Sequence, residues 1–253
     1  MKYLRWAFLL FLTSNGVEAE RVAPVYTPPI SARYPHDANG YTQGLLWHDG
    51  FLYESTGRYG HSTLSVRELT TGHVLRSRAL APEDFGEGLA LVDEELLQLT
   101  WKEHRLFVYD KATLRLKRIL PYAGEGWGAA YDGRYLIVSD GSALLRFLDP
   151  HSLKEVRHIA VYDGDEAIEL LNELEYVQGE ILANVYGSER IARIHPSNGK
   201  VIGWLDLSHL YPSAERPVRD AVLNGIAYDA KRQMLLVTGK YWPALFLIPL
   251  PKR

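Results

Sequence analysis

Five segments of the sequence resemble one another and recur at nearly regular intervals, and this repeat restricts the fold more than any other feature. Their matching positions are Gln43, Glu87, Trp127, Asn172 and Asn224, so the intervals are 44, 40, 45 and 52 residues. Each segment begins a series of short β-rich runs separated by turn residues. Four short strands in each repeat of about 40–45 residues are typical of a β-propeller blade. The repeat therefore predicts an all-β fold, a five-bladed β-propeller.

The fifth repeat contains only three β-rich runs before the sequence ends at residue 253. A missing fourth strand would leave the ring open and a sheet edge unpaired. The run VAPVYTPPI at residues 22–30 is the predicted source of that strand. We therefore expect a single propeller domain over residues 20–253, whose last blade is closed by an N-terminal strand. Since a closed ring has no need of a partner, a monomer is expected.

Residues 1–19 differ from the rest of the sequence. Lys2 and Arg5 come at the start of a short apolar run, and the small residues Val17 and Ala19 lie at the −3 and −1 positions of a cleavage site. This order is typical of a secretory signal peptide, and the apolar run is too short to cross a bilayer. A buried helix is the alternative. The prediction is a secreted or periplasmic protein without membrane contact after cleavage.

Composition excludes several classes of function. The 28 basic and 31 acidic residues give a net charge of −3 without a basic stripe, which argues against nucleic-acid binding. The sequence has no cysteine, which excludes a thiolate nucleophile, a cysteine zinc site and an iron–sulfur cluster. The nine histidines form no HxxxH pair. We expect neither a metal nor another cofactor.

The repeat also predicts where polar side chains converge. Since neighbouring strands of a blade are antiparallel, the start of each first strand and the end of each second strand lie at one face of the ring. The first-strand starts are the five matching positions given above. The second-strand ends add Trp101, Tyr186 and Lys240, with Thr56 and Asp140 at comparable points. One carboxylate, amides, an ammonium and aromatic rings on one face are typical of a small ligand pocket.

Each of these residues also has a purely structural interpretation. Amides at strand starts often only satisfy backbone groups, and tryptophans often only pack. Lys240 fits a solvated turn as well as a pocket. Glu87 differs because none of its four counterparts is acidic, so blade structure does not require its charge. Gly86 and Gly88 beside it are expected to leave room for backbone and substrate.

With these residues in hand, the chain resembles the glutamine cyclotransferases of plants and bacteria. The resemblance covers nearly all of the predicted mature chain and depends on a series of short motifs that occur in order, among them YPHDANGYTQGLLW, FGEGL, LTWKEHRLFVYD, GEGWG, LNELEY and VTGKYWP. It implies a five-bladed propeller. It also implies that the N-terminal glutamine of a peptide or protein partner is converted to pyroglutamate with release of ammonia.

The same resemblance implies roles for individual residues. Glu87 is the expected general acid/base. The expected substrate-binding residues are Gln43, Trp101, Trp127, Asn172, Lys240, Tyr41, Tyr186 and Phe85. The family commonly has Phe in place of Tyr41 and Trp in place of Tyr186, so both departures keep an aromatic ring. Donors to the oxyanion of the reaction are expected among Gln43, Asn172, Lys240 and a tryptophan indole N–H.

Two other functions compete with this interpretation. The first is a non-catalytic propeller that binds a peptide or a sugar on the same face. The second is a metal-dependent propeller hydrolase or lactonase, which would need several carboxylates around the axis. Among the five repeated position pairs, only Glu87 and Glu173 are acidic.

Overall fold

A computed structural model describes residues 22–251 of the protein. The predicted signal peptide at residues 1–19 lies outside the described residues. Within residues 22–251, the helical content is one three-residue 3-10 helix, Ser213–Glu215. No helix in that range is long and apolar enough to span a membrane.

The strands follow the predicted repeats closely. Two short strands come first, β1 (Val25–Tyr26) and β2 (Ala32–Pro35). Blade 1 contains β3 (Thr42–His48), β4 (Phe51–Thr56), β5 (Thr63–Arg67) and β6 (Val74–Ala79). Blade 2 contains β7 (Gly86–Val92), β8 (Glu95–Thr100), β9 (Arg105–Asp110) and β10 (Leu116–Pro121).

The remaining blades have the same order. Blade 3 contains β11 (Ala129–Tyr131), β12 (Leu136–Val138), β13 (Leu144–Leu148) and β14 (Glu155–Ala160). A small hairpin follows, β15 (Tyr162–Asp163) and β16 (Glu166–Ala167). Blade 4 contains β17 (Leu171–Val177), β18 (Glu180–Val185), β19 (Arg190–Ile194) and β20 (Val201–Asp206). Blade 5 contains β21 (Leu223–Asp229), β22 (Met234–Gly239) and β23 (Ala244–Pro249).

The first strands of the five blades form the centre of the ring. Strand β3 contacts β7, β7 contacts β11, β11 contacts β17, β17 contacts β21, and β21 contacts β3. Within each sheet the strands of a blade are hydrogen-bonded in chain order. The predicted five-bladed β-propeller is therefore confirmed.

Closure by an N-terminal strand is confirmed, but the segment predicted to provide it was wrong. Strand β2 pairs antiparallel with β23, with Ala32 opposite Leu247. The predicted segment, 22–30, instead supplies β1, which pairs in parallel with β20 as a fifth strand of blade 4. Residues 22–30 contain three prolines, which have no N–H for a β-ladder. In β2, Ala32 and Tyr34 alternate with exposed residues and pack on the blade 5 core.

The core lies between neighbouring blades, so each sheet is buried on both faces. Strand β18 shows how this arises from the alternation of side chains along a strand. Ile181 and Ala183 pack in the cluster shared with blade 3, whereas Leu182 packs in the cluster shared with blade 5. Burying a leucine of this kind contributes about 1.5–3 kcal/mol. The inner strands are therefore nearly continuous apolar runs in the sequence and do not alternate between apolar and polar residues.

A buried charged cluster fastens the closing strand to blade 1. His36 follows β2, and its Nε2 donates to Glu54 Oε1 at 3.0 Å while its Nδ1 donates to the Trp242 carbonyl oxygen at 2.8 Å. With acceptors at both ring nitrogens, His36 is an imidazolium. Burial opposes this charge, but Glu54 outweighs it, and the net pKa of His36 is raised. Arg67 Nε lies 2.9 Å from Glu54 Oε2 and completes the cluster.

Candidate active site

A cavity of about 410 Å³ opens at the face where first strands start and second strands end. It is lined by side chains from all five blades. Nine of its lining residues are those predicted from the sequence, namely Tyr41, Gln43, Phe85, Glu87, Trp101, Trp127, Asn172, Tyr186 and Lys240. Arg58, Asp220 and Tyr241 also line it and were missed.

Glu87 lies near the start of β7 and is held by a series of hydrogen bonds. Gln43 Nε2 donates to Glu87 Oε1 at 2.8 Å. Asn224 Nδ2 in turn donates to Gln43 Oε1 at 3.1 Å. Ser55 Oγ donates to the main-chain oxygen of Glu87 at 2.5 Å. Asn224 therefore supports the site from behind and does not line the cavity.

The surroundings of Glu87 favour its protonated form. Its side chain is only 3% exposed, and burial raises its pKa well above the ordinary value. Lys240 opposes this rise, whereas Glu103 and Glu125 add to it. Within residues 22–251, no hydrogen bond reaches Oε2 of Glu87 and no cation lies within 4.0 Å of the carboxylate. A carboxyl group with a raised pKa and one free oxygen suits proton transfer near neutral pH.

Trp101 and Trp127 share one hydrogen-bond acceptor that sequence reasoning missed. Both indole N–H groups donate to Glu125 Oε2, at 2.8 Å and 3.2 Å. Both indole N–H groups are therefore already occupied in this structure. Glu125 instead fixes the planes of both rings, and the GEGWG motif that contains it gave no sign of this role.

Lys240 is held between two aromatic rings. Its Nζ lies 4.3 Å from the ring centroid of Tyr41 and 4.9 Å from that of Tyr186. Burial lowers the pKa of Lys240, while Glu87 and Asp220 oppose this change. The two departures from the family pattern thus provide ring faces for the ammonium, a favourable cation–π arrangement.

Asp220 joins the two tyrosines. Tyr41 Oη donates to Asp220 Oδ2 at 2.7 Å, and Tyr186 Oη donates to Asp220 Oδ1 at 2.6 Å. The hydrogen bond to Asp220 is the main cause that raises the pKa of Tyr186 to about 12. Both hydroxyls therefore remain protonated donors at neutral pH.

Asn172 presents an unused acceptor. The residue is 2% exposed, and its Oδ1 is a buried oxygen with no hydrogen-bond partner within residues 22–251. Leaving such a group unpaired costs about 1–3 kcal/mol.

Gly86 and Gly88 make room for neighbouring backbone, as predicted, but not for substrate. A Cβ atom on Gly88 would lie 2.5 Å from the backbone nitrogen of Ala129 in the next blade. A Cβ on Gly86 would lie 2.7 Å from the backbone oxygen of Thr56. Both glycines instead allow neighbouring backbones to approach each other.

Two positions at the ends of second strands do not join the cavity. Thr56 Oγ1 is hydrogen-bonded to Thr63 Oγ1 at 2.8 Å within blade 1. Asp140 accepts the backbone N–H of Ser142 at 3.0 Å in a turn. Neither residue lines the cavity.

The missed residues lie outside the repeated strand positions that were compared with one another. Asp220 belongs to the segment at 207–222, which accounts for the longest interval between repeats. Arg58 follows β4 and has a φ of 113°, a backbone conformation that residues other than glycine rarely adopt. The long interval is the signal that would have directed attention to Asp220. Within the described range, no group of three or more His, Cys, Asp or Glu side chains is placed to hold a metal ion.

Comparisons with known proteins identify the family of the chain. The family model described as glutamine cyclotransferase matches residues 4–250. The glutaminyl-peptide cyclotransferase of Arabidopsis thaliana is 42% identical over 228 residues, which cover 87% of this chain and 70% of that protein. The crystal structure of Myxococcus xanthus glutaminyl cyclase has a TM-score of 0.83 and 37% identity, covering 90% of this chain and 97% of that one.

Proposed function

The chain belongs to the glutamine cyclotransferase family, and we infer that it closes the N-terminal glutamine of peptides to pyroglutamate with release of ammonia. It is an acyltransferase whose acyl group passes between two nitrogens of one residue. The observation that carries the inference within the site is Glu87, a buried carboxyl with one free oxygen in an aromatic cavity. A sugar- or peptide-binding propeller does not require such a group.

The reaction has a simple balance of bonds. The α-amine nitrogen of the substrate forms a bond with its own side-chain amide carbon, and the bond from that carbon to the amide nitrogen breaks. Closure of the five-membered ring needs little further loss of entropy once the cavity folds the side chain back. The attacking amine must be unprotonated, and an ordinary α-amine has a pKa of about 7.7–8.0.

Glu87 moves the proton in this scheme. Its carboxylate accepts the excess proton of the amine as the new bond forms, and it then returns a proton to the departing nitrogen, which leaves as ammonia. The hydrogen bond from Gln43 keeps Oε1 in place, so the free Oε2 is the oxygen that faces the reacting nitrogens. A raised pKa makes both steps accessible at neutral pH.

The hydrogen bonds of the site narrow the choice of oxyanion donors. Gln43 Nε2 already donates to Glu87, and the two indole N–H groups donate to Glu125. Lys240 Nζ has no hydrogen bond within residues 22–251 and is a cation, so we choose it over the Asn172 amide N–H as the donor to the developing oxyanion. Asn172 lines the same cavity and is assigned to substrate binding.

The acidic surroundings also discriminate against N-terminal glutamate. A substrate carboxylate would lie in the field of Glu103 and Glu125, which already disfavour negative charge at Glu87. A neutral glutamine amide meets no such repulsion. Selection of glutamine over glutamate thus follows from charge more than from shape.

The decisive experiment compares two peptides that differ only in their first residue. The protein is incubated with a Gln-initiated peptide and a Glu-initiated control, each with and without a chelator, and the products are weighed by mass spectrometry. Loss of one ammonia from the Gln peptide alone, unaffected by chelator, supports the proposal. An unchanged Gln peptide would contradict it and favour a binding propeller, whereas loss of activity with chelator would favour a metal enzyme.

Secretion or periplasmic location and a monomeric state complete the proposal. They are supported by the signal-like order of residues 1–19 and by the closure of the ring through β2. N-terminal sequencing of the exported protein is expected to begin at Glu20. Light scattering on a sizing column is expected to give the mass of one chain, and a doubled mass would contradict the monomer.

A further inference from the structure

We propose that Asp220 is a positioning residue for the reaction, which acts through the hydroxyls of Tyr41 and Tyr186 to hold the Lys240 ammonium at the site of the oxyanion. The inference rests on the proposed function in one respect, since it takes Lys240 as the oxyanion donor. Asp220, the two tyrosines and Lys240 are called the lysine clamp below.

The two carboxylate oxygens of Asp220 are divided between the two tyrosines. One accepts from Tyr41 at 2.7 Å and the other from Tyr186 at 2.6 Å. The tyrosines come from blades 1 and 4, so Asp220 fixes two rings that no shared strand connects. These are charge-assisted hydrogen bonds, which are shorter and stronger than neutral ones.

The rings in turn are the main contacts of the ammonium. Lys240 is 2% exposed, yet within the described part of the chain no carboxylate lies within 4.0 Å of its Nζ. Its Nζ lies over the Tyr41 ring at 4.3 Å and over the Tyr186 ring at 4.9 Å. A rotation of either ring would therefore move or release the ammonium.

The clamp is anchored to the backbone that carries Lys240. The N–H of Lys240 donates to the Val222 oxygen at 2.9 Å, and the N–H of Val222 donates to the Asp220 oxygen at 2.9 Å. Trp242 Nε1 donates to the Ala221 oxygen at 3.0 Å on the other side. Asp220 thus has a fixed position relative to β22, which a freely moving loop carboxylate would lack.

The charges that face Lys240 come from two directions. Glu87 approaches from β7 and Asp220 from the 207–222 segment, and both stabilise the ammonium against the effect of burial. Tyr41 and Tyr186 face it with neutral rings, because both hydroxyls are donors to Asp220. Removing the charge of Asp220 therefore makes Lys240 easier to deprotonate and loosens both rings.

The test uses two variants that disturb the clamp from opposite ends. Asp220→Asn keeps the shape but removes the charge, and the Tyr41→Phe/Tyr186→Phe double variant keeps the rings but removes the hydroxyls. For each, kcat is expected to fall about 10- to 100-fold with a smaller change in KM, as for other residues that position a reacting group. The alkaline limb of the kcat/KM profile is expected to move to lower pH in Asp220→Asn.

Two further variants make the outcomes distinct. Tyr228→Phe makes the same chemical change as the double variant but at a residue outside the cavity, and its kinetics are expected to match the wild type. Lys240→Met tests the proposed function itself and is expected to lose most turnover. Circular dichroism and melting curves confirm that each variant is folded.

Three results would overturn an assignment. If Lys240→Met is inactive while both clamp variants keep wild-type kcat, the clamp does not position Lys240. If the clamp variants lose stability or raise KM but the alkaline limb does not move, Asp220 is only structural. If Lys240→Met retains activity, Lys240 is not the donor, and the proposed role of this lysine fails independently of the clamp. Should Asp220→Asn fail to fold, the double variant carries the same comparison of kcat with KM.

Discussion

Two buried carboxyl groups at the starts of first strands have opposite uses. Glu87 and Glu173 are 3% and 0% exposed, and burial raises the pKa of both well above the ordinary value. Glu173 uses both oxygens, since Oε1 accepts the N–H of Leu45 at 3.2 Å and Oε2 accepts the N–H of Ile226 at 2.8 Å. Glu87 lines the cavity and uses one oxygen, and no hydrogen bond from residues 22–251 reaches the other.

The difference shows that burial and a raised pKa do not by themselves distinguish a reactive carboxyl group from a structural one. The hydrogen-bond partners of its two oxygens do. Glu173 links blade 4 to the first strands of blades 1 and 5, because both of its oxygens accept hydrogen bonds from backbone N–H groups of those strands. Glu87 is oriented by a side-chain amide and remains available. Each prediction below changes one side of this contrast.

The largest effect is expected for Glu87→Gln. The amide keeps the size of the side chain but cannot exchange the proton, so turnover is expected to fall about 10²–10⁴-fold. The melting temperature is expected to stay the same or rise, because a buried ionisable group is removed. Turnover of a Gln-initiated peptide and a melting curve check both, and wild-type turnover would show that Glu87 is not the acid/base.

Glu173→Gln is expected to have the reverse profile. An amide nitrogen cannot accept the second backbone N–H, and leaving that donor unpaired costs about 1–3 kcal/mol of unfolding free energy. Turnover per folded molecule should change little, because Glu173 does not line the cavity. Denaturant unfolding together with active-site kinetics measures the two effects separately. A large loss of kcat without a loss of stability would erase the distinction from Glu87.

Glu125 offers a smaller and more selective test. Glu125→Gln keeps a carbonyl oxygen with two lone pairs for the two indoles, whereas Glu125→Ala frees both rings. KM is expected to rise only in the alanine variant. Since Glu125 raises the pKa of Glu87, removal of its charge should move the acid limb of kcat/KM to lower pH in both variants. An unmoved limb would mean that Glu125 acts on the rings alone.

The smallest expected effect is on the pH dependence of stability, and it concerns another buried carboxyl group, Glu54. His36 and Arg67 outweigh burial and lower the pKa of Glu54 from 4.5 to about 2. The folded state therefore binds this proton less readily than the unfolded chain, so the contribution of Glu54 is present above pH 4.5 and is lost as the pH falls toward 2. Glu87 and Glu173 have raised pKa values, so their contribution declines as the pH rises above 4.5.

Thermal unfolding as a function of pH separates these contributions. Glu54→Gln is expected to flatten the acid side of the stability profile, and Glu173→Gln the neutral side. His36 has a raised pKa, so its contribution is complete below its ordinary value of 6.5 and is lost as the pH rises through the raised one. Identical acid profiles for the wild type and Glu54→Gln would contradict the assignment.

Much of the fold could be predicted from the sequence because a propeller repeats its signal. Each blade offers the same four strands, and the starts of first strands can be compared with one another. That comparison showed that Glu87 is charged, whereas the residues at the matching positions, such as Gln43 and Asn172, are neutral. The resemblance to the family then indicated the reaction.

Features that occur once could not be predicted in the same way. The sequence predicts the closing strand at residues 22–30, near the predicted mature N-terminus, whereas the pairing at 32–35 depends on the alternation of Ala32 and Tyr34 against blade 5. Asp220 and Glu125 contact residues of other blades, and the residues in these contacts do not recur at a regular interval in the sequence. Polar partners of this kind become visible only when the ring is assembled.

Closure of the ring also has a consequence for the order of events during synthesis. Ala32 pairs with Leu247, which follows it by 215 positions in the sequence (247 − 32). At about 5–20 residues per second, a ribosome needs roughly 10–40 s to make the intervening chain. During that interval β2 has no partner strand, and neither His36 nor Glu54 can complete the cluster with Trp242. Strand β2 is synthesised early but is therefore among the last strands to be paired. The ring of a nascent chain remains open until nearly all of blade 5 has been translated.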